Sequence, residues 1–566
     1  MKRSVRFAVL LASILATLPA SAQTIPDSRT WSDKDIAITP LFTLQNHGYF
    51  RFRFNDLYRL DLGEGGVSGV KQTVDSTALN QSLGESKSSV ESANIRFRYE
   101  PSLLVGEFLA IHARIDFLDN LLLGSNPSSG NTTSPYSFFA NTQSSPSTGS
   151  NGFKDSVRVK AAWADLKLFG RLHLIAGRMP ERFGLGIVRS DGSDLDSDFG
   201  DYADGVYAKV RLATAYVRIG LEFPNDGITA DSPVRPYGPT RDATQADDVV
   251  RWVFSFDSSP LEKDDFEARR KLLDVDRKPA VDWGMYHSIT WQGVSSDRVG
   301  GRMPAICGTG ATDTFGLPYD CYTLTPRGAF FWTPSLWGRL EYHPAVDVSL
   351  TIEMEAAMVY GHVDYMQSFL DASKAQTKKE FFTVGAALES ELRLGANRIS
   401  LFAGAATGDD SSGRFGVLDG PTLMTVDDTR YSLDSAVANN KKVRNFMFNR
   451  DYRVDSILFR EVIGTVTNAF YVKPGYAREF LRTGDHVLSG GLSVLAAFAA
   501  VPEGTPGGKR PLGVEPDLNV TYRFKNALTT SVDAALLFPL AGLKDPTGSE
   551  DPKMAMAIRV LMGLEF

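Results

Sequence analysis

Residues 554–566 read MAMAIRVLMGLEF. Taken by twos, Met554, Met556, Ile558, Val560, Met562, Leu564 and Phe566 are all apolar. The residues between them, Ala555, Ala557, Arg559, Leu561, Gly563 and Glu565, are mostly small or charged. Alternation with period 2 belongs to a β-strand that has one apolar and one wet face. Strands of soluble sheets run about 5–6 residues, whereas a membrane-spanning strand needs about 9–11. This last strand has membrane length.

The same two-faced pattern recurs along the chain. In GYFRFRF (48–54), Phe50, Phe52 and Phe54 oppose Arg51 and Arg53. In SANIRFRYE (92–100), Ala93, Ile95, Phe97 and Tyr99 oppose Arg96, Arg98 and Glu100, and in AIHARIDF (110–117), Ile111, Ala113, Ile115 and Phe117 oppose His112, Arg114 and Asp116. VRVKAAW (157–163) sets Val157, Val159, Ala161 and Trp163 against Arg158 and Lys160. The longest run, VDVSLTIEMEAAMVY (346–360), puts Val346 through Tyr360 by twos opposite Asp347, Ser349, Thr351, Glu353 and Glu355. So many long amphipathic strands cannot bury their apolar faces in one sandwich core. Lipid serves as the apolar partner instead, and closure of the sheet satisfies every backbone group. The expected fold is an all-β, antiparallel, up-and-down transmembrane barrel.

The chain of 566 residues carries a net charge of −7 with 22% charged residues, which argues against a nucleic-acid-binding role. Its start, MKRSVRFAVLLASILATLPASA, has Lys2, Arg3 and Arg6, an apolar run from Phe7 to Leu18, and Ala20-Ser21-Ala22. Those are the three regions of a secretory signal peptide over residues 1–22. Residues 23–44 then form a periplasmic segment and 45–566 the barrel. Two cysteines, Cys307 and Cys321, flank GTGATDTFGLPYD, and an oxidising compartment would join them in a surface loop.

Short connections are expected near Pro101–Gly106, Phe169–Gly170, Ala213–Thr214, Pro344–Ala345, Gly395–Asn397 and Lys525–Asn526. Long polar ones fall near 63–89, 119–154, 190–204, 224–248, 294–327, 409–450 and 542–552, alternating with the short ones. Periplasmic turns are the short set and extracellular loops the long set. Two stretches break the rhythm: the helix-prone SPLEKDDFEARRKLLDVDRKPA (259–280) and GTVTNAFYVKPGYAREFLRT (464–483). Reading both as periplasmic or lumen-folded excursions gives about eighteen strands, within roughly 16–20, because parity favours an even number.

The terminal aromatic strand resembles the assembly signal of bacterial outer-membrane barrels. GRMPERFGLGI (177–187), FNRDYRVDSILFREVIGTVTNAFYVKP (448–474) and LGVEPDLNVTYRF (512–524) resemble an uncharacterised family of large Gram-negative outer-membrane barrels. The resemblance covers most of the chain beyond residue 22. In size and pattern the chain is also similar to porins and alginate-export-type channels. The resemblance implies an outer-membrane location and recognition of the strand ending at Phe566 by barrel-assembly machinery.

SDLDSDFGDYADG (193–205) places Asp194, Asp196 and Asp198 at alternate positions, as a Ca²⁺ loop does. Glycine falls at 200, one place late, and Gly205 stands where that motif needs a bidentate glutamate, so a solvated acidic loop is the alternative. No other cofactor is implied. His47, His112, His173, His287, His343, His362 and His486 are scattered, and His287 and Ser288 point to opposite faces of a strand. The Asp485-His486 pair stands alone, so no catalytic residue is assigned and a barrel hydrolase is the remotest reading. Trp252, Phe254, Phe256, Trp283, Trp291, Tyr342 and Tyr522 fit the aromatic girdles of a membrane barrel.

The expected pore lining is uneven. Arg51, Arg53, Arg96, Arg98, Arg114, Arg158, Lys160, Lys209, Arg211 and Arg218 come from early strands, and Glu353, Glu355, Glu389 and Glu391 from later ones. Across an open lumen these walls would face each other through water and set a transverse field. Local pairing between neighbouring strands would cancel it. An eighteen-strand lumen is wide unless something folds in, and Glu262–Leu273 and the Asp-rich loop are the candidates for narrowing it. The function expected is passive passage of small hydrophilic solutes, with a mild preference for anions. A surface adhesion or assembly barrel is the alternative.

Overall fold

A computed structural model describes residues 42–60, 62, 89–123, 157–212, 215–227, 245–258, 263–296, 324–366, 377–409, 442–525, 527–544 and 551–566. The segments expected to be the signal peptide and most of the periplasmic stretch lie outside the described residues, as do Cys307 and Cys321.

The strands are β1 (Phe42–Tyr58), β2 (Ser89–Val105), β3 (Leu109–Leu122), β4 (Val157–Leu168), β5 (Leu172–Pro180), β6 (Tyr202–Leu212) and β7 (Ala215–Asn225). There follow β8 (Val249–Asp257), β9 (Ala280–Ser296), β10 (Leu324–Ala345), β11 (Val348–Met366), β12 (Thr377–Leu394) and β13 (Asn397–Ala406). A two-residue β14 (Lys442–Val443) precedes β15 (Ala469–Thr483), β16 (His486–Ala499), β17 (Pro511–Phe524), β18 (Leu528–Pro539) and β19 (Ala555–Glu565). All except β14 pair antiparallel with their neighbours in sequence, β13 pairing directly with β15, so the wall is an eighteen-strand meander. β14 adds a short parallel ladder to β12.

Closure is between the ends. β19 runs antiparallel to β1 from Tyr49↔Glu565 to Tyr58↔Met556. Beyond the ladder, Phe566 and Gly48 exchange two backbone hydrogen bonds of 3.1 Å, and the Phe566 ring stacks on Phe97 at 5.9 Å. The two faces of β19 fall as the alternation requires. Ala555, Ala557, Arg559 and Leu561 are buried inside, while Leu564 and Phe566 are exposed on the outside. Exposed apolar side chains ring the exterior, among them Leu336, Met354, Tyr360, Phe382, Phe470, Leu492, Leu518 and Val532. A surface this apolar matches lipid rather than water. No helix among the described residues is long and apolar enough to cross a membrane.

The ends of the chain segment and the short turns share one end of the barrel. Turns at Gly106–Phe108, Phe169–Arg171, Val346–Asp347, Gly395–Ala396 and Gly484–Asp485 alternate with long connections. Three expectations need correction. The first turn lies after Pro101, which is inside β2, because the apolar alternation continues to Val105. Residues 464–483 are mostly a wall strand, β15, not an excursion. Phe470, Val472 and Tyr476 supply its exposed outer face, a pattern that Pro474, Gly475 and the charged end obscure. In β4 a register shift opposite Arg114/Ile115 moves one face to the other. Val157 and Val159 face outward as expected, but Ala161 is fully buried inside and Trp163 stacks on the ring of His112. A bulge adds one residue and so reverses every later side chain.

The helix-prone stretch is a helix. α1 (Lys263–Arg270) continues into a π-helical turn over Lys271–Val275 at the short-turn end. It is tied under one side of the mouth by the ion pairs Arg269–Glu341 (2.6 Å) and Arg211–Asp265 (2.5 Å) and by the hydrogen bond Tyr216 Oη→Asp265 (2.8 Å).

Candidate functional site

The interior is occupied by two connections that fold inward and meet. The first joins β5 to β6 (residues 181–201). The second follows β14 and leads into β15 (residues 444–468).

The wall arginines hold the first by its backbone carbonyls. Arg51 donates to Leu195 O (3.0 Å) and Ser197 O (2.8 Å), and Arg96 to Ser197 O (2.8 Å). Arg98 donates to Gly192 O and Arg114 to Asp191 O, each at 2.7 Å. From the other wall, Glu355 on β11 accepts the backbone N–H groups of Gly186 (3.0 Å) and Ile187 (3.2 Å). The loop carbonyls would otherwise be buried without donors, which costs about 1–3 kcal/mol for each group. Gly192 has φ +64°, and a Cβ there would lie 1.9 Å from Phe199 O, so no other residue fits. On β19, a Cβ at Gly563 would meet Leu195 at 2.3 Å, so the loop packs against bare wall.

Carboxylates hold the second connection. Glu515 on β17 accepts three backbone N–H groups, from Ser456, Ile457 and Leu458, each at 2.9 Å. Asp455 accepts those of Phe459 (2.7 Å) and Arg460 (3.1 Å) at the start of a π-helical turn, Leu458–Ile463. These are the orphan donors of a helix N-terminus, and acidic side chains satisfy them. Burial pushes the Asp455 carboxyl up to about 6 despite those bonds and nearby Lys473. Leu458, Phe459, Val462 and Ile463 are buried with Phe446, Phe448 and Tyr471 in the largest apolar cluster.

The two connections lock to each other. Arg453 reaches Asp198 at 2.6 Å and Asp196 at 3.1 Å, and Arg460 reaches Asp196 at 2.5 Å. Arg53 from the wall pairs with the same carboxylates, at 2.9 Å to Asp196 and 2.6 Å to Asp198. Asp451 accepts the backbone N–H groups of Asp198 and Phe199, and Asn449 donates to Ile187 O at 2.8 Å. Burial alone would raise both aspartates. The guanidiniums of Arg460, Arg453 and Arg53 overcome it and hold Asp196 well below the usual carboxylate range, and Arg53 and Arg453 hold Asp198 below it too.

The aspartates that the sequence offered for calcium have arginine neighbours. Asp196 and Asp198 are neutralised by arginines, and Asp194 is exposed with Arg182 as its neighbour at 3.9 Å. Among the described residues no group of three or more His, Cys, Asp or Glu side chains could hold a metal ion. The loop is turned into the barrel, and the five arginines on the wall that would bring it there were legible only as lumen charges.

The expected transverse field also needs correction. Arg98 forms a two-pronged pair with Asp116 (2.7 and 2.8 Å), and Asp119 takes Arg96 (2.8 Å) and Lys160 (2.7 Å), all on neighbouring strands. The in-folded connections stand between these groups and the glutamates. Glu353 accepts the Trp337 indole N–H at 2.9 Å, Glu389 bonds Tyr452, and Glu391 lies near the short-turn end beside Arg398. Arginine and aspartate pair locally.

A cavity of about 920 Å³ remains between β1–β5, β19 and the two connections. Arg53, Arg98, Arg158, Lys160, Arg178, Arg450, Arg453, Arg460 and Arg559 line it, against only Asp119, Asp198 and Glu461. Three of these cations, Arg450, Arg453 and Arg460, stand on the second connection, where strand alternation gives no signal. Arg450 is exposed, lies over the Phe199 ring at 5.7 Å, and has no ion-pair partner among the described residues.

Near the short-turn end, Ser102 Oγ and His112 Nδ1 lie 2.7 Å apart, and Asp165 is 3.0 Å from His173. The acid is bonded to the other histidine, so these four do not form a Ser-His-acid relay. His486 bonds Tyr522 at 2.7 Å rather than Asp485.

No family model and no curated protein matches the chain. Among solved structures it is similar to OccK11 (OpdR) of Pseudomonas aeruginosa, at 11% identity and TM-score 0.44 over 92% of this chain and 96% of that one. A BenF-like porin from Pseudomonas fluorescens Pf-5 gives 10% identity and 0.44 over 92% and 98%. The outer membrane protein OpdK of Pseudomonas aeruginosa gives 11% and 0.42 over 93% and 98%. Likeness at this level does not bear on what the chain does.

Proposed function

We propose that this barrel is a passive outer-membrane channel for small hydrophilic solutes and favours anions. The cationic cavity between wall and in-folded connections carries the reading: nine basic side chains line it and three acidic ones. Charges lining a narrow aqueous path set the local potential and so the sign of the ions that enter. The apolar exterior supplies the lipid contact, and the strand ending at Phe566 is the element that barrel-assembly machinery would recognise. The long connections lie on the extracellular side and the short turns in the periplasm.

The test is single-channel recording in a planar bilayer, followed by reversal potentials under a salt gradient. Discrete conductance steps with anion selectivity are expected. Cation selectivity would overturn the preference, and a sealed barrel would favour a surface adhesion or assembly role.

A further inference from the structure

The ion pairs of the interior are of two kinds. Arg96–Asp119 and Arg98–Asp116 join adjacent wall strands, are buried, and have both partners fixed on the sheet. The pairs of Asp196 and Asp198 are different, because their carboxylates stand on a connection and Asp198 faces the cavity. Asp198 accepts from Arg53 at 2.6 and 3.0 Å and from Arg453 at 2.6 Å. Its backbone is held separately, through the N–H groups of Asp198 and Phe199 on Asp451. The side chain can therefore leave the arginines while the backbone stays seated.

We propose that Arg53 and Arg453 form a preformed oxyanion site, that the Asp198 carboxylate is its resident counter-anion, and that a solute oxyanion binds by displacing it. Paired guanidinium forks fit carboxylate and tetrahedral oxyanions, whose oxygens they grip two at a time. The Asp198 side chain offers the site the same two oxygens. With the site filled from within, the two guanidiniums keep this counter-charge when no solute is present. Displacement also weakens solute binding, and a passage needs binding weak enough for release. This inference rests on the channel reading only in placing the cavity on the solute path.

The test uses the whole barrel in detergent, with inorganic sulfate as probe and chloride at matched ionic strength as reference. Calorimetric titration should show Asp198→Asn binding sulfate about tenfold more tightly than the unaltered chain, equal to about 1.4 kcal/mol. Asp204→Asn, which removes a carboxylate paired with Arg178 at the half-exposed rim, should change affinity less than about twofold on the same scale. Equal tightening in both would mean a general field effect and would overturn the displacement. A second measurement needs no variant: carbodiimide labelling of Asp198, read by mass spectrometry, should rise as sulfate saturates. Labelling that stays flat or falls overturns the proposal. A barrel without current would sink the channel reading, while titration and labelling still decide the counter-anion.

Discussion

Arg450→Gln isolates the charge of the cavity from its architecture. Arg450 is exposed at the cavity wall and has no ion-pair partner among the described residues, so its removal strands no carboxylate. Its cation–π contact with the Phe199 ring is worth about 0.5–1 kcal/mol at an exposed site. Folding is therefore expected to be intact. For an anion passing at about 5 Å, Coulomb's law in water gives about 0.8 kcal/mol of lost attraction. That converts to about a fourfold loss for the anion and an equal gain for a cation at the same distance, so the anion-to-cation permeability ratio should fall by more than about tenfold, since 1.4 kcal/mol is tenfold. Reversal potentials in a potassium chloride gradient at low ionic strength measure the ratio, and the shift should shrink as salt rises. An unchanged ratio at low salt, in a variant whose single-channel steps are otherwise normal, would refute the assignment of the cavity as the solute path.

Deleting Phe566 removes two backbone hydrogen bonds to Gly48 and a ring stacked on Phe97, all at the closing seam. Outer-membrane fractions should then contain little assembled barrel while export continues, which blotting of both fractions checks. Glu515→Ala orphans three backbone N–H groups and should loosen residues 456–463 by roughly 3 kcal/mol or more, without melting the wall. Faster amide exchange confined to that segment, with noisier current, is the expected readout. The interlock of Asp196 and Asp198 has a definite pH sign. Their folded values are depressed, so their stabilisation is fully present above the ordinary carboxylate value of about 3.9 and is lost only as pH falls through the lower folded values. Protection of residues 190–201 against exchange should be the same at pH 7 and pH 5.

The wall was legible because lipid enforces a strict rule on every second residue. Phe50, Phe52 and Phe54, or Met556 through Leu564, can face nowhere else, and the register of β1 on β19 follows. The rule fails where a residue is inserted, so Trp163 sits in the lumen although its parity says lipid. It also says nothing about a connection that folds inward. Arg460 and Asp196 are 264 residues apart and Arg51 and Ser197 are 146 apart, and no local period announces either contact. The acidic spacing of Asp194, Asp196 and Asp198 was visible. Its partners were not, because arginines on β1 and on a distant connection complete the set.

Of the arginines expected to line the pore, Arg51, Arg96 and Arg114 seat the first connection, and one substitution separates seating from charge. Arg51 is fully buried and grips two successive parts of the first connection, Leu195 O and Ser197 O, with one guanidinium. Arg51→Lys preserves the charge but leaves one nitrogen where the guanidinium uses two, Nη1 on Leu195 O and Ser197 O and Nη2 on Asn120 Oδ1, so a single ammonium cannot reproduce the whole set. Each hydrogen bond from a charged donor is worth about 1.5–3 kcal/mol, so the seat weakens by roughly that amount when one is lost. If Arg51 acted only through its charge, conductance and selectivity would both be unchanged. If it acts by seating the connection, conductance should change and amide exchange at 192–199 should quicken, while the sign of selectivity, set by Arg450, Arg453 and Arg460, persists. A lysine variant with the same conductance and the same exchange as the unaltered chain would show that the wall arginines matter to the passage only as charges.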